Sequence, residues 1–95
     1  MIHVLARITV QPDSADQALA ILRKLAAQSR QEPGCISYQL YQQTRQSHVF
    51  QTVEQWRDQA SVDAHMSTPH VAAAIAAAGP LFAAPPEIET CVLND

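Results

Sequence analysis

The sequence predicts an α+β fold of the ferredoxin-like βαββαβ type, with one four-stranded antiparallel sheet. Two observations support this fold class. Apolar residues alternate at a period of two in the stretches that would form strands. Between these stretches, apolar residues recur at helical spacing, in the order strand, helix, strand, strand, helix, strand. Right-handed crossovers then place all helices on one face of the sheet, and residues 1–95 form a single domain.

The first strand is predicted over residues 2–10, and its even positions should face the helices. These positions are apolar throughout: Ile2, Val4, Ala6, Ile8 and Val10. Asp13 or Ser14 can cap the next helix by accepting a hydrogen bond from a free backbone N–H. That helix should end near Gln31, because Pro33 disfavours helical geometry in the residue before it.

The second strand is predicted over residues 35–42, with Ile36, Tyr38 and Leu40 on one face. A polar turn leads to a third strand over 48–55 and a helix over about 57–65. Ser67 or Thr68 should cap a further helix that ends at Gly79, and the last strand covers about 87–93.

This strand order makes the second and fourth strands opposite edges of the sheet. Cys35 and Cys91 should therefore be too far apart for a disulfide bond, and both thiols should be free. The face without helices would carry an apolar cluster, which consists of Leu5, Tyr41, Val49, Val53 and Leu93. Because such a patch is large for a surface in water, we expect a homodimer in which two sheets pack face to face.

Composition excludes several classes of partner. The net charge is −3 and no run of Lys or Arg occurs, so neither nucleic acid nor an anionic membrane is an expected partner. The uncharged run 71–86 is shorter than the roughly 20 residues of a membrane span. Two cysteines without metal spacing indicate a reduced, cytoplasmic protein, and two glycines leave no loop for a dinucleotide.

The helix-facing side of the sheet is where a binding site is predicted. Its polar and aromatic members are Tyr38, Phe50, Thr52, Glu54 and Trp56, which we consider as pocket or core residues. The segment 71–78 consists of alanine, one valine and one isoleucine, and it offers little volume to fill the space above the sheet. The result is either a cavity or a close packing of helix on sheet.

Two histidines flank the predicted break between the second and third helices. His65 ends one helix, where it is either a general base or a structural group bonded to backbone. His70 lies in the first turn of the next helix and should cap it or line the pocket mouth. The two are five residues apart, unlike the i, i+4 pair of a helical zinc site, so no metal is expected.

Three segments in this order resemble the antibiotic biosynthesis monooxygenase family. They are the loop Glu32-Pro33-Gly34 that opens a strand, the Glu54-Gln55-Trp56 that ends one, and the two histidines around the helix break. The resemblance extends from residue 1 to about 92 and implies a small, cofactor-free, usually dimeric α+β barrel. It also implies that Trp56 lines a substrate cavity and that His65 is a frequent residue at its position.

Other pocket residues of the family do not carry over to this chain. In the members that oxidise polyketides, an Asn, a Tyr and an Arg fall on Thr52, near Val62 and near Ala74 or Ile75. In the haem-degrading branch, the Asn-Trp-His set falls on Ala6, His65 and Ile75, so haem degradation is not expected.

The resemblance implies a cofactor-independent monooxygenase that oxidises a quinol or polyphenol-like aromatic with O2. His65 would deprotonate the substrate, while Trp56 and Tyr38 hold its ring. Phe50, Thr52, Glu54 and His70 would contribute to substrate binding. Two alternatives remain: an isomerase of a sugar phosphate or signalling molecule, for which only Arg7 and Arg57 look near a pocket, and a non-catalytic dimeric module for small-molecule binding or stress response.

Overall fold

The computed structural model describes residues 1–95 and has the predicted ferredoxin-like α+β architecture. Its strands are β1 (Ile2–Thr9), β2 (Cys35–Gln42), β3 (Val49–Trp56) and β4 (Glu87–Cys91). Its helices are α1 (Ala15–Ser29), α2 (Gln59–Met66) and α3 (Pro69–Ala78), with 3-10 turns at Pro12–Ser14 and Gly79–Leu81. The strands pair antiparallel in the order β2-β3-β1-β4, so β2 and β4 are the edges as predicted. Cys35 and Cys91 lie on these edges and are free.

The ends of the helices differ in one respect from the prediction. Asp58 caps α2 by accepting a hydrogen bond from the Ser61 N–H (2.8 Å), and Thr68 caps α3 through the Val71 N–H (3.4 Å). Ser14 precedes α1 without a side-chain cap, which corrects the prediction that Asp13 or Ser14 would supply one. The 3-10 turn before α1 explains the difference, because its backbone hydrogen bond already directs the chain into the helix.

The start of β2 corrects a second prediction. The pairing with β3 shifts between Cys35 and Ser37, so Ile36 lies in a bulge. Its side chain points away from the core and is 51% exposed, whereas Cys35 packs against the core instead. A bulge reverses the facing of one residue, which simple alternation cannot anticipate.

The core divides into two apolar clusters between the sheet and the helices. One surrounds Trp56 and contains Val4, Ala26, Tyr38 and Val62. The other surrounds Phe50 and contains Ile8, Val10, Ala18 and Leu22. Trp56 and Phe50 are fully buried, and burial of each stabilises the fold by about 1.5–3 kcal/mol or more.

The face without helices is only partly apolar. Leu5 and Val53 are half-buried cross-strand partners at its centre, and Tyr41 is exposed near one edge. Val49 is already buried within the single chain, and Leu93 lies beyond the end of β4, so the predicted cluster is smaller than expected. None of the helices has both the length and the apolar character needed to cross a membrane.

Gly34 brings the loop after α1 into close contact with α2. A Cβ atom at this position would overlap the side chain of Ser61, although the backbone of Gly34 has no unusual φ. The Gly34 carbonyl also accepts a hydrogen bond from the Arg57 N–H (2.9 Å), which ties the loop to the residue that follows β3. The loop is therefore fixed by close approach rather than by glycine's conformational freedom.

Substitution of the two glycines should affect stability to different extents. Gly34→Ala should lower the free energy of unfolding by about 1–3 kcal/mol, because the new methyl group overlaps Ser61. Gly79→Ala is the matched control: a Cβ there meets no atom within 4 Å apart from its chain neighbours. The gain of about 0.4–1 kcal/mol from a less flexible unfolded chain is offset because Pro80 disfavours helical geometry in the residue before it, so stability should change little. Urea unfolding measures both, and equal effects would contradict the close approach at Gly34.

Candidate functional site

A cavity of about 530 Å³ lies between the sheet and the helices and has a largely apolar wall. Alanines of α3 form part of this wall, so the small residues of segment 71–78 leave space rather than pack closely on the sheet. The residues that line it include Val4, Ala6, Ile8, Leu22, Tyr38, Thr52, Glu54, Val62, His65, Met66, Val71, Ala74, Ile75, Ala78, Ile88 and Thr90. No Lys or Arg is among the lining residues. Arg57 lies 3.5 Å from Asp58, and Arg7 is exposed.

Glu54 places a buried carboxyl group in the cavity wall. Its Oε2 accepts a hydrogen bond from the Thr52 hydroxyl (2.7 Å), and its Oε1 accepts one from the Trp56 indole N–H (2.9 Å). These residues alternate along β3, so all three side chains fall on the helix-facing side of the sheet. The two hydrogen bonds satisfy the polar atoms of a side chain that is only 4% exposed.

His65 is buried at the end of α2 and lies between two carboxyl groups. Its Nδ1–H donates to Oε2 of Glu32 (2.6 Å), and its Nε2 is 4.0 Å from Oε1 of Glu54. The ring also packs on Trp56, with centroids 4.5 Å apart. A carboxylate that holds one imidazole nitrogen fixes the tautomer and leaves the other nitrogen available for proton transfer. The sequence-based alternative of a bond from this ring to backbone is not what the structure shows.

Glu32 also binds the second histidine. His70 Nε2–H donates to the same Oε2 atom (2.8 Å), so one carboxylate oxygen joins the end of α2 to the first turn of α3. Two imidazole nitrogens and one carboxylate oxygen lie within 4.8 Å of one another, a set whose chemistry suits a divalent metal ion. In the sequence, Glu32 stands out only as part of a loop, with no chemical role predicted for it. The tight turn at Pro33-Gly34 was the available signal that this loop is fixed in place.

Tyr38 contributes a phenol to the cavity wall. Burial raises the pKa of this side chain, and the negative charge of Glu54 raises it further, so the group stays protonated far into the alkaline range. No backbone or side-chain group of the protein accepts a hydrogen bond from its hydroxyl or donates one to it. The phenol is therefore available to a bound molecule.

Four of the seven predicted site residues line the cavity, namely Tyr38, Thr52, Glu54 and His65. Trp56 does not line the cavity. Its indole N–H donates to Glu54 and its ring packs against His65, and both of these residues do line it. Phe50 is buried beneath α1 with Leu22, away from the cavity surface. His70 does not line the cavity, and its Nε2 is hydrogen-bonded to Glu32.

Stability should decline with alkaline pH because the pKa of Tyr38 is higher in the folded state than in the unfolded chain. This contribution is fully present below about pH 10 and is lost above it, by up to about 1.4 kcal/mol per pH unit. Tyr38→Phe should flatten this dependence, measured as urea unfolding from neutral pH to about pH 11. Tyr41→Phe, which removes a hydroxyl from the exposed face, is the control. An unchanged slope in Tyr38→Phe would contradict the role of burial.

The sequence and the fold of this chain both match one family of known proteins. The family model described as "Antibiotic biosynthesis monooxygenase" matches residues 1–77. The protein sll1783 of Synechocystis, described as uncharacterized, is 35% identical over 93% of this chain, which spans only 60% of that relative's length. "Putative monooxygenase YcnE" of Bacillus subtilis is 28% identical over the whole of both chains.

A solved structure described as an antibiotic biosynthesis monooxygenase superposes with a TM-score of 0.95, at 25% identity, and each chain covers all of the other. The family model accounts for more than half of the chain, and the structural match extends over the full fold. The protein thus belongs to the antibiotic biosynthesis monooxygenase family.

Proposed function

We propose that this protein is a monooxygenase that oxidises a quinol or polyphenol-like aromatic compound with O2 and without a cofactor. The observation that supports it most is the position of His65. One ring nitrogen is held by Glu32, and the other is directed to Glu54 at the wall of an apolar cavity of about 530 Å³. An aromatic substrate fits a wall of this character, and a held imidazole is suited to remove its phenolic proton.

The reaction begins with proton transfer from a substrate hydroxyl to Nε2 of His65. The resulting anion is rich in electrons and transfers one of them to O2, after which the two radicals combine at a ring carbon. One oxygen atom enters the ring as a carbonyl, and the other leaves as water with the hydroxyl and ring hydrogens. The substrate supplies all of the electrons, so the balance requires no external reductant.

The neighbouring side chains have distinct roles in this proposal. Glu54 is close enough to stabilise the protonated imidazole, and Thr52 and Trp56 hold that carboxyl group in place. The free hydroxyl of Tyr38 can donate a hydrogen bond to the substrate oxygen. Trp56 acts as a positioning residue, because it is buried behind His65 and does not line the cavity. His70 supports the site from behind through Glu32, whereas Phe50 belongs to the other core cluster and has no role in this proposal.

The isomerase alternative lacks a structural basis in the cavity. A phosphate group binds to converging Arg or Lys side chains, and none lines this wall. A non-catalytic binding module would use the same cavity, so only activity distinguishes it.

We further propose that the protein is cytoplasmic, where its two free thiols would remain reduced.

Oxygen uptake with a panel of hydroquinones, naphthols and catechols tests the proposed reaction. His65→Asn should lower kcat by about 100-fold on a compound that the wild type oxidises, because it removes the base. His48→Asn is the matched control, since His48 lies outside the cavity and should leave turnover unchanged. Binding of these compounds without uptake above their spontaneous oxidation would identify a binding module and overturn the proposal.

We further propose a homodimer that forms through the face of the sheet without helices. Leu5 and Val53 at its centre support this interface, and a second sheet would cover them. Val53→Asp should convert the dimer to a monomer, because a charge at the centre would be buried without a partner. Ala27→Asp adds the same charge to an exposed position of α1 and is the control. Sedimentation measures both, and a monomeric wild type would contradict the proposal.

A further inference from the structure

We propose that Glu32, His65 and His70 form a binding site for a divalent transition-metal ion. The three residues come from separate segments: the loop after α1, the last turn of α2 and the first turn of α3. Their ligand atoms nevertheless lie within 4.8 Å of one another. Two imidazoles and a carboxylate match the donor types that zinc and its first-row neighbours prefer, with water in the remaining position.

The three ligand atoms already converge, and metal binding requires the contacts of Glu32 to widen to about 3.3 Å, the separation of ligand atoms around a tetrahedral ion. Oε2 of Glu32 is 2.6 Å from Nδ1 of His65 and 2.8 Å from Nε2 of His70. Each of these contacts is a hydrogen bond between two atoms that can both bind a metal ion. A metal ion would replace the two protons and draw on the same lone pairs. The cluster is mostly shielded from water, since the side chains of His65, Glu32 and His70 are 7%, 12% and 18% exposed.

A second carboxylate supports the histidine from its other side. Oε1 of Glu54 is 4.0 Å from Nε2 of His65, the nitrogen that the metal would leave free. Metal-binding histidines commonly direct their second nitrogen to a carboxylate, which fixes the ring and strengthens the ligand. Thr52 and Trp56 hold Glu54 in turn. This arrangement gives the site a supported ligand rather than three mobile side chains.

This cluster shares one residue, His65, with the proposed oxidation. His65 lines the cavity, whereas Glu32 and His70 do not. A metal ion on Nδ1 would lie behind His65 and leave the ring hydrogen on Nε2, which faces Glu54. A metal-bound His65 could therefore not act as the base, and the proposed oxidation requires the metal-free form. The ion would cross-link the loop, α2 and α3, and its binding does not depend on the proposed reaction.

Calorimetric titration of metal-stripped protein with Zn2+ tests the inference. We expect one Zn2+ per protomer and a higher melting temperature in its presence, because the ion binds only the folded cluster. Bound Co2+ should show visible absorption bands of a site with nitrogen and oxygen ligands. Glu32→Gln and His70→Asn should each weaken binding by more than the about 10–100-fold loss that is typical of a supporting residue such as Glu54.

Two controls define the outcomes that would overturn the site. His48→Asn removes a histidine outside the cluster, and a Cys35→Ser, Cys91→Ser double variant removes both thiols. Both should bind Zn2+ like the wild type, and loss of binding in either would assign the ion elsewhere. No binding to wild type, or full binding by His70→Asn, would also refute the site. His70 is partly exposed, so this variant should fold even if Glu32→Gln does not.

Discussion

The hydrogen bond from His65 to Glu32 is the interaction on which the candidate site depends. It joins residues 33 positions apart and connects the loop after α1 to the end of α2. The loop can reach the helix because Gly34 has no side chain to collide with Ser61. Without this close approach, the Glu32 carboxylate would not meet either histidine. Loop packing and side-chain chemistry are therefore parts of a single constraint.

The buried polar groups of the site form one continuous network rather than separate pairs. Thr52 and Trp56 hold Glu54, Glu54 lies beside His65, and Glu32 joins His65 to His70. Charged groups are costly to bury alone, and they become tolerable when every neighbour supplies a hydrogen bond or an opposite charge. The apolar cavity lies directly against this network, so a bound molecule meets ordered polar atoms on one wall only.

The fold could be predicted from the sequence because apolar residues recur at different spacings in its strands and its helices. The strand order then follows from the order of the elements and from right-handed crossovers. The same rule placed Thr52, Glu54 and Trp56 on one face of β3. It failed at Ile36, where a bulge adds a residue to one strand, and at Glu32, whose contacts depend on the tertiary packing of a loop. Trp56 was expected to line the cavity, but His65 of α2 packs against its ring and Trp56 is not among the lining residues. The spacing of apolar residues does not reveal how closely a helix packs on the sheet.

The alanine-rich helix α3 has a consequence for how this fold can change its ligand. Ala74 and Ala78 form part of the cavity wall but contribute little side-chain volume to either core cluster. One wall of the cavity is thus formed by α3, whereas the polar network around His65 is supplied mainly by β3 and α2. Larger residues on α3 can reshape the cavity while the network around His65 stays intact. The volume of the cavity and the polar network at its wall can therefore change, or be engineered, on separate elements of the chain.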